Sequence, residues 1–257
     1  MLKAQTPQTF MNLYKNAFDL WGESYLRIIG LTLLAIIVGA APHFFIPALN
    51  TYNVFAVAAY IKANLFWFIL YSAISIYFFA TIFYRLSMIY HEKPGNIFTA
   101  FKTCLYRYPK IYLAMLTYVL LETAGFILLF FPGVYLMIIL VFFIPILLTD
   151  NSSYLEGLKS CFRLVENHWW RTFAFLLIPM VFIHLIIGFV EDLSKPLWIV
   201  STHNGNIWLS AHLLRLVLNS IFYPFILCLL IVYLNDLKLK FAQEKISDEV
   251  AISEAKI

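Results

Sequence analysis

Five polar side chains fall inside stretches of the sequence that are otherwise apolar, and their types could support proton or ion chemistry. They are Glu122, His184, His212, Arg215 and Asn219. Isolated polar groups are costly in hydrocarbon, so such residues face protein, each other or a water-filled cavity. At about 1.5 Å of helix rise per residue, Glu122, His184 and Asn219 lie at a similar depth in the membrane. Arg215 and His212 lie closer to the far membrane surface. We therefore predict a polar intramembrane cluster, in which Glu122 pairs with His184 or Arg215.

This predicted cluster has three interpretations. It could be a satisfied structural network that joins neighbouring helices, and the sequence favours this one. It could instead be a proton- or substrate-binding site of a transporter, because buried carboxylate and imidazole groups are typical of such pathways. The third interpretation is that the side chains reach the outer membrane surface, where water solvates them.

The composition decides which elements must position these residues. The chain is 62% hydrophobic and only 12% charged, whereas soluble domains are about a quarter charged. This composition predicts an all-α polytopic membrane protein, with phospholipid and the bilayer as its surroundings. The sequence contains no GxxxxGK[ST] or HExxH motif, and its three cysteines have no CxxC spacing. We therefore predict no catalytic residue, metal, cofactor or nucleic-acid partner.

Six apolar runs have about the 20 residues that a membrane-crossing helix needs. They lie near residues 25–47, 63–84, 111–131, 134–149, 169–190 and 209–233. The third and fourth form one continuous run, and the pair Pro132-Gly133 is its predicted hairpin turn, since proline ends a helix and glycine permits a tight reversal.

The basic residues predict the orientation of these six helices. With both termini on one side, that side collects 15 of the 18 Lys and Arg residues, and the other keeps Lys62, Lys195 and Arg215. Such a bias is typical of the cytoplasmic side. We therefore predict that both termini are cytoplasmic.

A short motif occurs twice in the sequence, as AFKTCL at 100–105 and as GLKSCF at 157–162, and a weaker copy begins at Thr9. Each longer copy opens with a residue that can cap a helix (Thr9, Asn96 or Ser153). The copies place apolar residues on one helical face and polar residues opposite. This pattern predicts three cytoplasmic amphipathic helices at the membrane interface. A polar break at 22–24, 109–110 or 166–168 is predicted to end each one, and a pair of spanning helices follows.

The repeats define the predicted organisation of the chain. A single membrane domain, 1–240, contains three units at 9–90, 96–149 and 153–236, and residues 241–257 form a frayed cytoplasmic tail. The copies share Lys15, Lys102 and Lys159. These lysines, with Arg171, could hold anionic lipid headgroups. Alternatively, they only flank the apolar face and extend their charges to water.

One segment carries a resemblance to a known family. Residues 131–173 combine a Pro-Gly turn, an apolar run with an internal proline, an acidic-polar turn and a Ser-containing amphipathic helix that ends in Trp and Arg. This segment resembles the YciC-like family of bacterial inner-membrane proteins, and is similar to the membrane regions of some glycerophosphodiester phosphodiesterases. The resemblance implies a bacterial inner membrane and a role in the cell envelope, and it supplies no catalytic residues.

Three functions are compatible with the sequence. The leading prediction is a lipid-interacting protein that supports envelope organisation or lipid distribution without catalytic chemistry. The second is a small-molecule transporter or channel that uses the polar intramembrane cluster. The third is a scaffold that binds a partner membrane protein.

Overall fold

The structure, a computed structural model, describes residues 4–40, 54–93, 95–201 and 207–254, and these form helices joined by short connections. Within those ranges there is no strand. The helices are α1 (Phe10–Ala40), α2 (Val54–Tyr90), α3 (Ile97–Leu128), α4 (Phe130–Leu140), α5 (Phe143–Thr149), α6 (Tyr154–Val165), a 3₁₀ turn (Glu166–His168), α7 (Trp169–Ser201) and α8 (Ile207–Glu254).

Six helical stretches of the described residues are long and apolar enough to cross a membrane, and the predicted all-α class is confirmed. Two of them form the interior of the protein. In Phe130–Thr149, which comprises α4 and α5, 61% of the most apolar window is buried, and in Val217–Ser247 of α8 the share is 56%. In the other four stretches only 17% to 22% is buried. The core therefore lies around α4, α5 and α8.

Aromatic rings fill the part of the core where α1, α7 and α8 meet. The Phe175 ring lies between Tyr14 of α1 and Tyr233 of α8, with centroid distances of 4.7 Å and 4.4 Å. The Tyr233 hydroxyl is 3.1 Å from the hydroxyl of Thr172. Stacked rings with a satisfied hydroxyl give directional packing beyond simple burial, so this cluster fixes how the three helices pack together.

The repeated motif occupies equivalent positions in the structure. Asn96 caps α3 by accepting a hydrogen bond from the Thr99 amide. Ser153 forms a capping box with Glu156 at the start of α6. The ninth residue of each copy (Ala17, Cys104 and Cys161) is fully buried. The three amphipathic segments therefore turn the same helical face toward the interior.

The predicted separation of each amphipathic helix from its following span is correct only for the third copy, where the 3₁₀ turn ends α6. The first two copies continue without interruption into α1 and α3. At the expected break in α1, Ser24 bonds back to the Leu20 carbonyl at 2.6 Å. In α3, Pro109 lies inside the helix. Proline is tolerated inside membrane helices, where other groups satisfy the freed carbonyl.

The predicted hairpin turn at Pro132-Gly133 is wrong by three residues. The chain reverses at Leu129, whose backbone is extended, and both predicted turn residues lie in the first turn of α4. Proline fits there because the first amides of a helix have no intrahelical partner. Gly133 instead allows α4 to approach α3, since a Cβ at Gly125 would lie 2.8 Å from the Cα of Gly133.

The predicted frayed tail is also wrong for most of its length, because α8 continues to Glu254. Two contacts hold the start of this extension. The Arg163 guanidinium lies 5.9 Å from the centre of the Phe241 ring. The His168 Nε2 atom is 3.4 Å from the Glu244 carboxylate. The extension therefore packs against α6 and the 3₁₀ turn.

Candidate functional site

A buried carboxylate joins the chain start to α7 and α8. The Asp236 side chain is 1% exposed, and its Oδ2 atom lies 3.1 Å from Nη2 of Arg171. The other carboxylate oxygen accepts a hydrogen bond of 2.7 Å from the Gln8 amide. The same Arg171 nitrogen donates to the Gln8 carbonyl at 2.6 Å. A buried charge must be paired and hydrogen-bonded, so this arrangement fixes the position of Arg171.

A second group of basic side chains holds the end of α5. Lys238 forms an ion pair with Asp150, and Lys110 donates to the Ser152 carbonyl. Arg107 donates to the Leu148 carbonyl at 2.9 Å. The last carbonyls of a helix have no intrahelical partner and attract cations. Lys238 of α8 and the end of α5 therefore lie side by side.

A groove of about 900 Å³ opens beside this polar region, and we call it the basic–aromatic groove. Its lining comprises Phe131, Pro132, Val134, Tyr135, Glu166, Asn167, His168, Trp169, Trp170, Arg171 and Lys240. The Trp169 indole donates to the Tyr135 carbonyl at 3.3 Å, and the two rings stack with centroids 5.8 Å apart. These contacts fix the aromatic wall between α4 and α7.

Three basic residues line the groove and differ in how their charges are used. Arg171 is partly buried and held by Asp236. His168 faces Glu244. Lys240 forms no hydrogen bond or ion pair with any side chain that the structure describes. An apolar, aromatic wall beside fixed and available cations suits an amphiphile with an anionic headgroup.

The predicted intramembrane cluster is only partly described. Glu122 is partly buried and lies one helical turn after Tyr118, near enough for the two side chains to interact. His184 is exposed, and its Nδ1 atom lies 2.8 Å from the Met180 carbonyl of its own helix. No ion pair joins these two residues, both of which are described. Asn219 is partly buried. The side chains of His212 and Arg215 lie outside those that the structure describes.

Tyr118 also lines a smaller, partly open cavity of about 310 Å³. Its other lining residues are Ser75, Ile76, Phe79, Met115, Leu140, Val141, Ile144 and Tyr223. Tyr223 lies one turn beyond Asn219 on α8. Glu122 therefore lies near a cavity that α3 shares with α8, a proximity that the depth estimate did not reveal.

The predicted headgroup contacts are dispersed in the structure. Lys15, Lys102 and Lys159 are all exposed and do not line the groove, whereas Arg171 does. Sequence reasoning did not single out Lys240, which it counted only among the basic residues of the predicted cytoplasmic side. The sequence signal that could have located the groove is the Trp169-Trp170-Arg171 run, since aromatic and basic residues together mark a membrane interface.

No protein family, curated protein or solved structure matches this chain. Among the described residues there is no group of three His, Cys, Asp or Glu side chains that could hold a metal ion. The three cysteines are free and buried.

Proposed function

We propose that the protein is a lipid-interacting protein of a bacterial inner membrane, which binds anionic phospholipid in the basic–aromatic groove and supports lipid distribution or envelope organisation. The observation that carries this proposal is the combination of Arg171 and Lys240 with an aromatic wall in one groove of about 900 Å³. No catalytic step is part of the proposal. The envelope role rests on the resemblance of residues 131–173 to the YciC-like family.

The two cations have different roles in this proposal. Arg171 is immobilised by Asp236 and Gln8, so it presents a fixed positive charge at the groove wall. Lys240 has an unused ammonium group on a flexible stem, and it pairs directly with the lipid phosphate. Trp169 and Trp170 contact the glycerol and upper acyl region, where tryptophan is favoured.

The test measures the phospholipid that stays bound when the protein is purified in a mild detergent. The variant Lys240→Gln removes the available charge, and Lys245→Gln makes the same change on the same helix outside the groove, where Lys245 is 70% exposed. One lysine near an anionic surface is worth about 1 kcal/mol, which corresponds to roughly a fivefold loss of affinity. Mass spectrometry of bound phosphatidylglycerol should show this loss for Lys240→Gln only.

Equal retention of phosphatidylglycerol by the two variants would contradict the proposal. A retained lipid that is zwitterionic in both would also contradict it, because the groove would then not select an anion. A protein that co-purifies in fixed stoichiometry and blocks lipid binding would favour the scaffold function instead.

The smaller cavity supports a second candidate function, transport of a small molecule or proton. Ser75, Tyr118 and Tyr223 are the polar residues in the mostly apolar lining of that cavity, and Glu122 lies near Tyr118. In this case Glu122→Gln should abolish a gradient-driven activity in proteoliposomes and leave the thermal stability unchanged. If Glu122 is structural, the same variant lowers the stability and no such activity is found.

A further inference from the structure

The segment that comprises α4 and α5 is linked near both ends to neighbouring positions of α8, directly at Asp150 and through α7 at Tyr135. Near one end, the Tyr135 carbonyl accepts from Trp169, two residues before Arg171, and Arg171 pairs with Asp236 at 3.1 Å. At the other end, Asp150 pairs with Lys238. Asp236 and Lys238 are two residues apart, which is about 3 Å along a helix axis.

That separation is too small for a segment that runs along α8. Fifteen residues separate Tyr135 from Asp150, which is about 22 Å of helix. The middle of the segment also contacts α8, because the Phe142 ring is 6.0 Å from the Tyr233 ring, and residues 140–144 line a cavity with Tyr223, about 15 Å further along α8. Its two ends nevertheless lie at one level of α8. The segment formed by α4 and α5 therefore runs across α8.

Helix α3 runs antiparallel beside α4 and α5 and crosses α2 in the same way. Tyr77 of α2 donates to the Phe101 carbonyl at 3.0 Å, and Tyr108 donates to the Ala73 carbonyl at 2.7 Å. Met115 and Tyr118 line a cavity with residues 75–79 of α2. Arg107 also lies 5.9 Å from the centre of the Tyr84 ring. About 26 Å of α3 thus contacts about 16 Å of α2, as expected for helices that cross at an angle.

The turn between α3 and α4 has no residue suited to water. Five consecutive apolar residues, 127–131, are exposed, from 67% at Phe130 to 82% at Phe131. A hairpin that crossed the membrane completely would place this turn in the aqueous phase on the far side. A turn that stays among acyl chains satisfies its apolar surface.

We propose that α3, α4 and α5 lie in the plane of the membrane, within the leaflet whose headgroups contact the basic–aromatic groove. The chain then crosses the bilayer four times, with α1, α2, α7 and α8. The acyl chains of that single leaflet cover the exposed face of α3 and the turn at Leu129. Phe131 and Pro132 line the groove, so in this arrangement the groove opens sideways into the leaflet.

The placement also explains how Glu122 is accommodated. In a helix that crosses completely, this carboxylate would lie near the bilayer centre, where charge is strongly disfavoured. In the plane of one leaflet it lies close to the headgroups and within reach of water. The distribution of basic residues is compatible with either arrangement, because no Lys or Arg occurs from Ile111 to Thr149.

The test is a distance between spin labels on Phe131→Cys and Ala242→Cys, measured in liposomes by double electron–electron resonance. The native cysteines are buried and stay unlabelled. Phe131 shares the groove with Lys240, so the in-plane arrangement gives a distance clearly below the hydrocarbon thickness of about 30 Å. A complete crossing puts the labels on opposite sides, and a distance of about 30 Å or more overturns the proposal.

A matched pair calibrates this measurement. Phe189 is exposed on α7 and lies about 28 Å further along that helix than Trp170, which lines the groove. Labels on Phe189→Cys and Ala242→Cys should therefore give a long distance in the same liposomes. The distances do not depend on lipid selectivity, so they can fail or succeed independently of the proposed function.

A second measurement assigns the membrane side. A fluorescent nitrobenzoxadiazole label on residue 131 or 242 is reduced by dithionite, which does not cross the bilayer. In one liposome preparation, the in-plane arrangement gives the same reduced fraction at both positions. If the reduced fractions at the two positions instead add up to one, the two labels lie on opposite sides of the bilayer and the proposal is overturned.

Discussion

The close approach of α3 and α4 at Gly125 and Gly133 offers a test of the hairpin at atomic detail. A Cβ at Gly125 would lie 2.8 Å from the Gly133 Cα and 3.0 Å from its amide nitrogen. Both atoms belong to the backbone, so no side-chain rotation can relieve the overlap. The variant Gly125→Ala therefore forces the two helices apart.

The magnitude follows from two opposing effects. Overpacking of a close contact costs about 1–3 kcal/mol, while replacing glycine by alanine in a helix interior stabilises by about 1 kcal/mol. Gly30 of α1 is a matched control, because it is exposed and nothing lies within 4 Å of its added Cβ. The difference between Gly125→Ala and Gly30→Ala cancels the helix propensity and leaves the cost of the clash.

The assay is equilibrium unfolding in mixed detergent micelles, followed by circular dichroism. Gly30→Ala should unfold at the same or higher denaturant than the parent protein. Gly125→Ala should be about 1–3 kcal/mol less stable than that control. Equal stability of the two variants would show that α3 and α4 do not touch at this point, and the hairpin described above would be wrong.

Two further predictions concern stability in the same assay. Arg171→Met leaves the Asp236 carboxylate buried without its ion-pair partner and should cost about 3–5 kcal/mol. The double variant with Asp236→Asn should recover part of this loss, and equal losses in the single and double variants would refute the pairing. Ser153→Ala removes the capping box of α6 and should cost about 0.5–2 kcal/mol, while Ser247→Ala, which changes an exposed serine on α8, should be nearly neutral.

The local signals of the sequence predicted much of the helical structure. Capping residues at Asn96 and Ser153 and the small residues at the ninth position of each repeat were read correctly, because capping and helical periodicity depend on neighbouring residues only. The number of long apolar helices followed in the same way from composition and length.

The errors occurred where tertiary contacts decide between local alternatives. Pro132 is compatible with a turn or with the first turn of a helix, and the contact between Gly125 and Gly133 selects the second. Pro109 was expected to end an amphipathic helix, yet α3 continues through it. The groove could not be located from sequence, since Lys240 and Tyr135 are brought together by helices that are far apart in the chain.

Helices that run across α8 within one leaflet also make the molecule unequal in cross-section. Four helices displace lipid in the far leaflet, while the near leaflet must accommodate α3, α4 and α5 in addition. A protein of this shape acts as a wedge and is most stable where the near leaflet is expanded, that is, where it forms the convex side of a curved patch of membrane. The position of the protein along a cell would then follow membrane geometry as well as lipid charge.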